Sequence, residues 1–237
     1  MDSKTVELMA NRHQVTVNGQ VYGPHDAEQT GRELLTLAGF APASEYQLIL
    51  VRANRTRLIG LEDKVNLKAE KGAVFRAFEG DRSYSWTLDE IGQVWGAPTL
   101  DVDELTSLFE FSPDNELVLE RHDEPDVVLR PGGVISFEEK GVEHIVTRPK
   151  KPDVVLVTVF TTAGIFPAQG AVRARPGELV STVLERAAKK LKLQDTSTWV
   201  VTVDGRTINS GLTFAQNSLS GAVELDWSPP EGGGGRA

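Results

Sequence analysis

The residues that could do chemistry are few, and most of them lie at one end. Ser228-Pro229-Pro230-Glu231 is followed by Gly232, Gly233, Gly234 and Gly235, then Arg236-Ala237. The prolines stop a strand and hold the chain extended. Four glycines then give backbone with no side chains, which can pass between two close walls. By composition alone this is a flexible linker or terminus. From Trp227 to Gly235 an extended chain reaches about 26 Å. The other cluster is acidic: Asp123, Glu124 and Asp126 share one turn, and Ser112-Pro113-Asp114-Asn115-Glu116 is a similar loop. Calcium takes six to eight oxygens, so one such turn could supply part of a shell, with water or a second chain supplying the rest. Neither loop has the EF-hand pattern, and solvated loop carboxylates are the plain reading.

Other chemistry is missing. His13, His25, His122 and His144 are isolated, with no i, i+4 pair for a metal. There is no cysteine, which excludes disulfides, thiolate nucleophiles and zinc–cysteine sites. No G-x-S-x-G elbow or phosphate-cradling loop is present. No residue takes a catalytic role, so the chain is not expected to be an enzyme. With 25 Lys and Arg against 34 Asp and Glu, the net charge of −9 argues against nonspecific nucleic-acid binding. No signal peptide or spanning segment is evident, and a cytoplasmic protein without membrane contact is the default.

The elements that must position the tail repeat along the chain. After a leader at residues 1–11, His13 to Val17 alternates at period two. Asn18-Gly19 then signals a hairpin with Gln20-Val21-Tyr22 as the return. Thr30 with Glu33 has capping-box spacing ahead of a helix that stops at Gly39. Tyr46 to Val51, Arg57 to Ile59 and Ala73 to Phe78 read as strands, with a short apolar insert at Val65 to Leu67. Strand–strand–helix–strand–strand then recurs. Ser83 to Leu88, Gln93 to Trp95, a helix over 101–109, Glu116 to Arg121, Val127 to Leu129, Val134 to Phe137 and Val142 to Val146 form the second round. Arg148 to Asp153 has linker composition. Val154 to Thr161 and Gly170 to Ala174 flank a loop over 163–169, followed by the longest helix, Leu179 to Leu191. Strands at Thr198 to Val203 and Val223 to Trp227 complete the third round.

This order at about 80 residues per round predicts an α+β chain of three tandem β-grasp domains, at 12–80, 81–150 and 151–228, with the tail at 229–237. A single α+β domain with an eleven-strand sheet is the structural alternative. Ile165-Phe166-Pro167 puts an apolar tip on the 163–169 loop. Ile165, Phe166 and Trp227 are the candidate partner-binding residues; side chains tucked into the core are the plain reading.

Val15-Thr16-Val17-Asn18-Gly19, Thr30-Gly31-Arg32-Glu33-Leu34-Leu35-Thr36-Leu37-Ala38-Gly39 and Tyr46-Gln47-Leu48 resemble the bacterial multiubiquitin family. Phe137-Glu138-Glu139-Lys140-Gly141-Val142-Glu143-His144-Ile145-Val146-Thr147-Arg148-Pro149 resembles the end of such a unit. Over 153–235 the likeness is to ubiquitin-like folds generally, through element order and the tail. The resemblance implies an operon with activating and conjugating enzymes and a deubiquitinase-like peptidase, some such operons acting against bacteriophage. It therefore implies a modifier joined by isopeptide bonds through Gly232 to Gly235. It also implies self-assembly into dimers or filaments with calcium, for which Asp123, Glu124 and Asp126 are the candidate ligands. The tail departs from ubiquitin's basic, leucine-rich end, which implies a dedicated activating enzyme. Arg236-Ala237 implies a precursor cut after Gly235.

Overall fold

Asn18 and Gly19 take φ of 48° and 81°, the paired positive values that close a two-residue hairpin with the right-handed twist of its strands. They join β1 (Val15–Val17) to β2 (Gln20–Tyr22). The computed structural model describes residues 13–122, 124–138, 144–151 and 154–230. The described chain divides into two units. The first takes its described residues from 13–100, 104–111 and 136–144, and the second from 101–103, 112–135 and 145–230.

In the first unit β3 (Glu28–Thr30) leads into helix α1 (Gly31–Leu37). The capping box forms as the spacing predicts. The Glu33 amide donates to Thr30 Oγ1 at 3.2 Å, and the Thr30 amide donates to the Glu33 carboxylate at 2.7 Å. The Thr30 amide, and after it the Thr30 hydroxyl donating to the same carboxylate at 2.9 Å, hold the Glu33 carboxyl below its ordinary pKa. A seven-residue helix is marginal alone. Burial of Leu34 and Leu35 holds it, at about 2 kcal/mol each.

The strands β4 (Tyr46–Arg52), β5 (Arg55–Ile59) and β7 (Val74–Glu79) join the hairpin in the order β2-β1-β7-β4-β5. β1 and β7 are parallel and the other pairs antiparallel. This is the β-grasp order, with α1 over one face. β6 (Lys64–Asn66) pairs with β3 in a separate two-strand ribbon, so the apolar insert at Val65 is a strand. β4 is buried on both faces, since Ile49 and Val51 are as covered as Leu48 and Leu50. Its second face is covered within the same unit. Here β8 (Tyr84–Leu88) and β9 (Ile91–Trp95) form a hairpin, and the Trp95 ring meets Phe78 edge-on at 4.8 Å. Gln93, buried, accepts from the Thr56 amide at 2.8 Å and donates to the Asn54 carbonyl at 3.0 Å. Asn54 and the Glu110 backbone exchange two further bonds.

The strand β10 (Thr99–Asp101) and helix α2 (Val102–Leu108) contribute to both units, as does β13 (Val134–Ser136). The second round of elements is thus divided between the units. In the second unit β11 (Asn115–Glu120), β12 (Val127–Leu129) and β14 (His144–Pro149) precede β15 (Val155–Thr161), β16 (Gly164–Phe166) and β17 (Gly170–Ala174). Helix α3 (Val180–Leu191), β18 (Val200–Val203), β19 (Arg206–Thr207) and β20 (Ala222–Ser228) follow. Strand order β17-β15-β20-β18-β19 repeats that of residues 13–79, again with a parallel central pair, β15 and β20. Val180, Val183, Leu184 and Ala187 of α3 pack on Val157, Val223 and Leu225.

The sheet does not stop at β17. Val127, Val128 and Leu129 of β12 pair antiparallel with Val172, Ala171 and Gly170, and β11 and β14 extend it further. All three β12 residues are buried because strands and side chains flank them on every side. Gly170 and Gly133 permit this approach. A Cβ on Gly170 would fall on the Val128 carbonyl, and one on Gly133 on the Gln169 carbonyl.

Two sequence expectations are corrected. Part of the 163–169 loop is strand β16, with Phe160 opposite Ile165 and Val159 opposite Phe166. Leu179 is the N-cap of α3 and exposed, not its first buried turn. Strands β3, β10 and β19 are two or three residues long, too short to show alternation.

Candidate functional site

The last strand fixes where the tail begins. β20 lies between β15 and β18, and its last residue, Ser228, pairs with Val200 of β18. Trp227 turns inward, 6% exposed, with Trp199 edge-on at 5.2 Å. Burial of the indole anchors the strand beneath the departing chain, and this corrects its expected place on a partner surface. Pro229 and Pro230 stand exposed immediately beyond. Gly232, Gly233, Gly234 and Gly235 lie outside the described residues.

Of the two β16 candidates, only Ile165 faces solvent, at 44% exposure. Phe166 belongs to the core that α3 covers. Strand alternation separates them, and the paired β16 backbone keeps both from pointing outward together. Ile165 borders a groove of about 380 Å³ that also meets Phe160, Pro167, Arg130 and Glu224.

The acidic turn is spoken for by cations of the chain. Glu124 pairs with Arg121 at 2.6 Å and Lys190 at 3.1 Å. Burial acts to raise its carboxyl, but the hydrogen bonds from Lys190 and Arg121 prevail and set its pKa below the ordinary value. Asp126 pairs with Arg148 at 2.9 Å, and Arg148 also holds Glu120. In the other acidic loop Glu116 pairs with Arg173 at 2.5 Å, both nearly buried. Asp123 lies outside the described residues. Among the described residues no three His, Asp or Glu side chains converge as a metal site. His144 Nδ1 is 2.9 Å from the Thr87 hydroxyl, a strand polar position as expected.

Sequence reasoning missed the junction of β12 with β17. Gly133 and Gly170 were its signals, since they are glycines at a turn and at a strand start where no linker would need them.

Residues 13–77 match the Multiubiquitin family model. The chain is multiubiquitin-like over that stretch, which covers the first complete sheet from its hairpin to β7. Residues 155–228 repeat the strand order of that sheet. No curated protein matches the chain. Among the described residues no helix is long and apolar enough to cross a membrane.

Proposed function

We propose that the chain is a ubiquitin-like modifier of a bacterial ubiquitination-like pathway, with three tandem β-grasp domains, and that its working group is a glycine carboxylate in the tail. The observation that carries this reading is the exit of the tail. A glycine run begins in the sequence a few residues beyond the central strand of a β-grasp sheet, after two exposed prolines. The multiubiquitin match at the other end of the chain supports it.

A peptidase cuts the Gly235–Arg236 amide with water and frees the Gly235 carboxylate. That carboxylate attacks the α-phosphate of ATP and expels pyrophosphate, giving an acyl adenylate. A thiol of the activating enzyme displaces AMP, and a target amine then displaces the thiol to leave an amide. The chain is the group transferred, and each catalytic residue belongs to a partner. Ile165, exposed beside the tail-bearing sheet, is the proposed contact for the activating enzyme. The peptidase step is tested by intact mass: loss of the Arg236-Ala237 dipeptide alone supports the register, and an uncut chain removes that step.

A further inference from the structure

The face of the tail-bearing sheet turned away from α3 carries charges without a counterpart. Val223 and Leu225 of β20 face the core. Glu224 and Asp226 alternate with them and face the other way, opposite Thr158 and Phe160 of β15. Arg130 follows β12, three strand spacings from β20 in the order β20-β15-β17-β12, or about 14 Å. Arg130 and Glu224 line the same groove of about 380 Å³, with half-buried Phe160 and exposed Ile165. Among the described residues Arg130, Glu224 and Asp226 form no ion pair. Solvated surface acids would be unremarked, but Arg130 is half-buried and its Nη1 is enclosed with no acceptor. A guanidinium held in that way gains from a carboxylate at its open side. The groove therefore has a cation at one wall, acids at the other and apolar surface between them. It suits a segment of the opposite charge order.

The chain's own tail has that order. Glu231 and Arg236 flank Gly232 to Gly235. β20 runs parallel to β15, so the tail leaves the sheet at the end where Phe160 and Ile165 stand. Glu231 is three residues past Ser228, about 10 Å of extended chain, and the Glu231 and Arg130 side chains span the rest of the crossing. Arg236 is five residues further, enough chain to return to β20. The four glycines turn back without steric cost.

We infer that this groove is a binding site for residues 231–236 of the same chain, with Glu231 on Arg130, Arg236 on Glu224 and Asp226, and the glycines over Phe160 and Ile165. The tail is then folded back on its own sheet while Arg236 is present. Removal of Arg236 takes away one of the two anchors and frees the glycines and Ile165 together. That regulatory consequence rests on the modifier reading; the contact itself does not.

The test places a nitroxide on the full chain through Ala237→Cys, the only thiol, because the chain has no cysteine of its own. Amide broadening in the ¹⁵N-labelled chain is read against the reduced label. Arg130, Gly132 and Thr158, none of them adjoining Ser228, broaden, and raising the salt weakens the effect. Arg236→Glu lowers the broadening about threefold, and adding Glu224→Lys with Asp226→Lys restores it. Broadening confined to β20 and its end overturns the proposal, as does broadening that Arg236→Glu leaves unchanged. Equal broadening of a ¹⁵N chain by a second, spin-labelled copy also overturns it, by placing the tail on another molecule. The assay contains no enzyme, so a free tail leaves the modifier reading standing, and a missing enzyme adduct leaves the contact standing.

Discussion

Replacing Gly170 by alanine should part β12 from β17. A Cβ there would fall on the Val128 carbonyl oxygen and stand 2.8 Å from the Arg130 amide nitrogen. Backbone atoms of a paired strand cannot turn aside as a flexible side chain can. To restore ordinary contact, β12 must retreat by about an ångström. That loosens the pairs Val127–Val172, Val128–Ala171 and Leu129–Gly170, and with them the Val134 amide bond to the Ala168 carbonyl at 3.2 Å. Overpacking of this kind costs about 1–3 kcal/mol, and each lost backbone bond adds about 1 kcal/mol. The sum is about 2–4 kcal/mol, or a fall in Tm of about 10 °C for a unit of this size. Gly177→Ala is the control, because a Cβ at Gly177 meets nothing within 4 Å. Thermal melts give the stability, and amide exchange at Val127 to Leu129 reports the junction itself. If Gly170→Ala melts with Gly177→Ala and exchange at Val128 is unchanged, the close approach does not hold the sheet together.

Three other changes have definite outcomes. Ile165→Asp should leave stability within about 0.5 kcal/mol while weakening binding to the activating enzyme, whereas Phe166→Asp should cost about 3 kcal/mol or more from the core; denaturant midpoints and a pull-down separate the two, and unchanged binding of Ile165→Asp removes β16 from the partner surface. Glu116→Gln leaves Arg173 nearly buried without its counter-charge and should cost about 3 kcal/mol by urea denaturation; a wild-type midpoint would show the pair to be dispensable. The folded Glu124 carboxyl has a lowered pKa, so its stabilisation is present above the ordinary carboxylate range and is lost as pH falls through the folded value. The midpoint gap between wild type and Glu124→Gln should therefore close below about pH 4, and a gap constant from neutral pH to acid would refute this.

Much of the frame was legible because local signals coincide with it. Asn18-Gly19 demands positive φ, Thr30 with Glu33 closes a capping box, and Val183, Leu184 and Ala187 recur at helical spacing. What was not legible depends on neighbours distant in sequence. Phe166 and Trp227 read as apolar surface in a list of residues, but β16 pairs with β15 and the indole meets Trp199, so both are inside. Glu124 and Asp126 read as free carboxylates until Lys190, 66 residues away from Glu124, and Arg148, 22 away from Asp126, fold against them.

The central claim is that a glycine carboxylate of the tail is the reactive group. The most direct measurement presents the cognate activating enzyme and ATP with two forms of the chain, one ending at Gly235 and one ending at Ser228, and resolves the products by intact mass before and after thiol reduction. The form ending at Gly235 should yield a thiol-labile adduct with the enzyme, and the form ending at Ser228 none. Absence of an adduct from both forms, or equal adducts from both, would contradict the account.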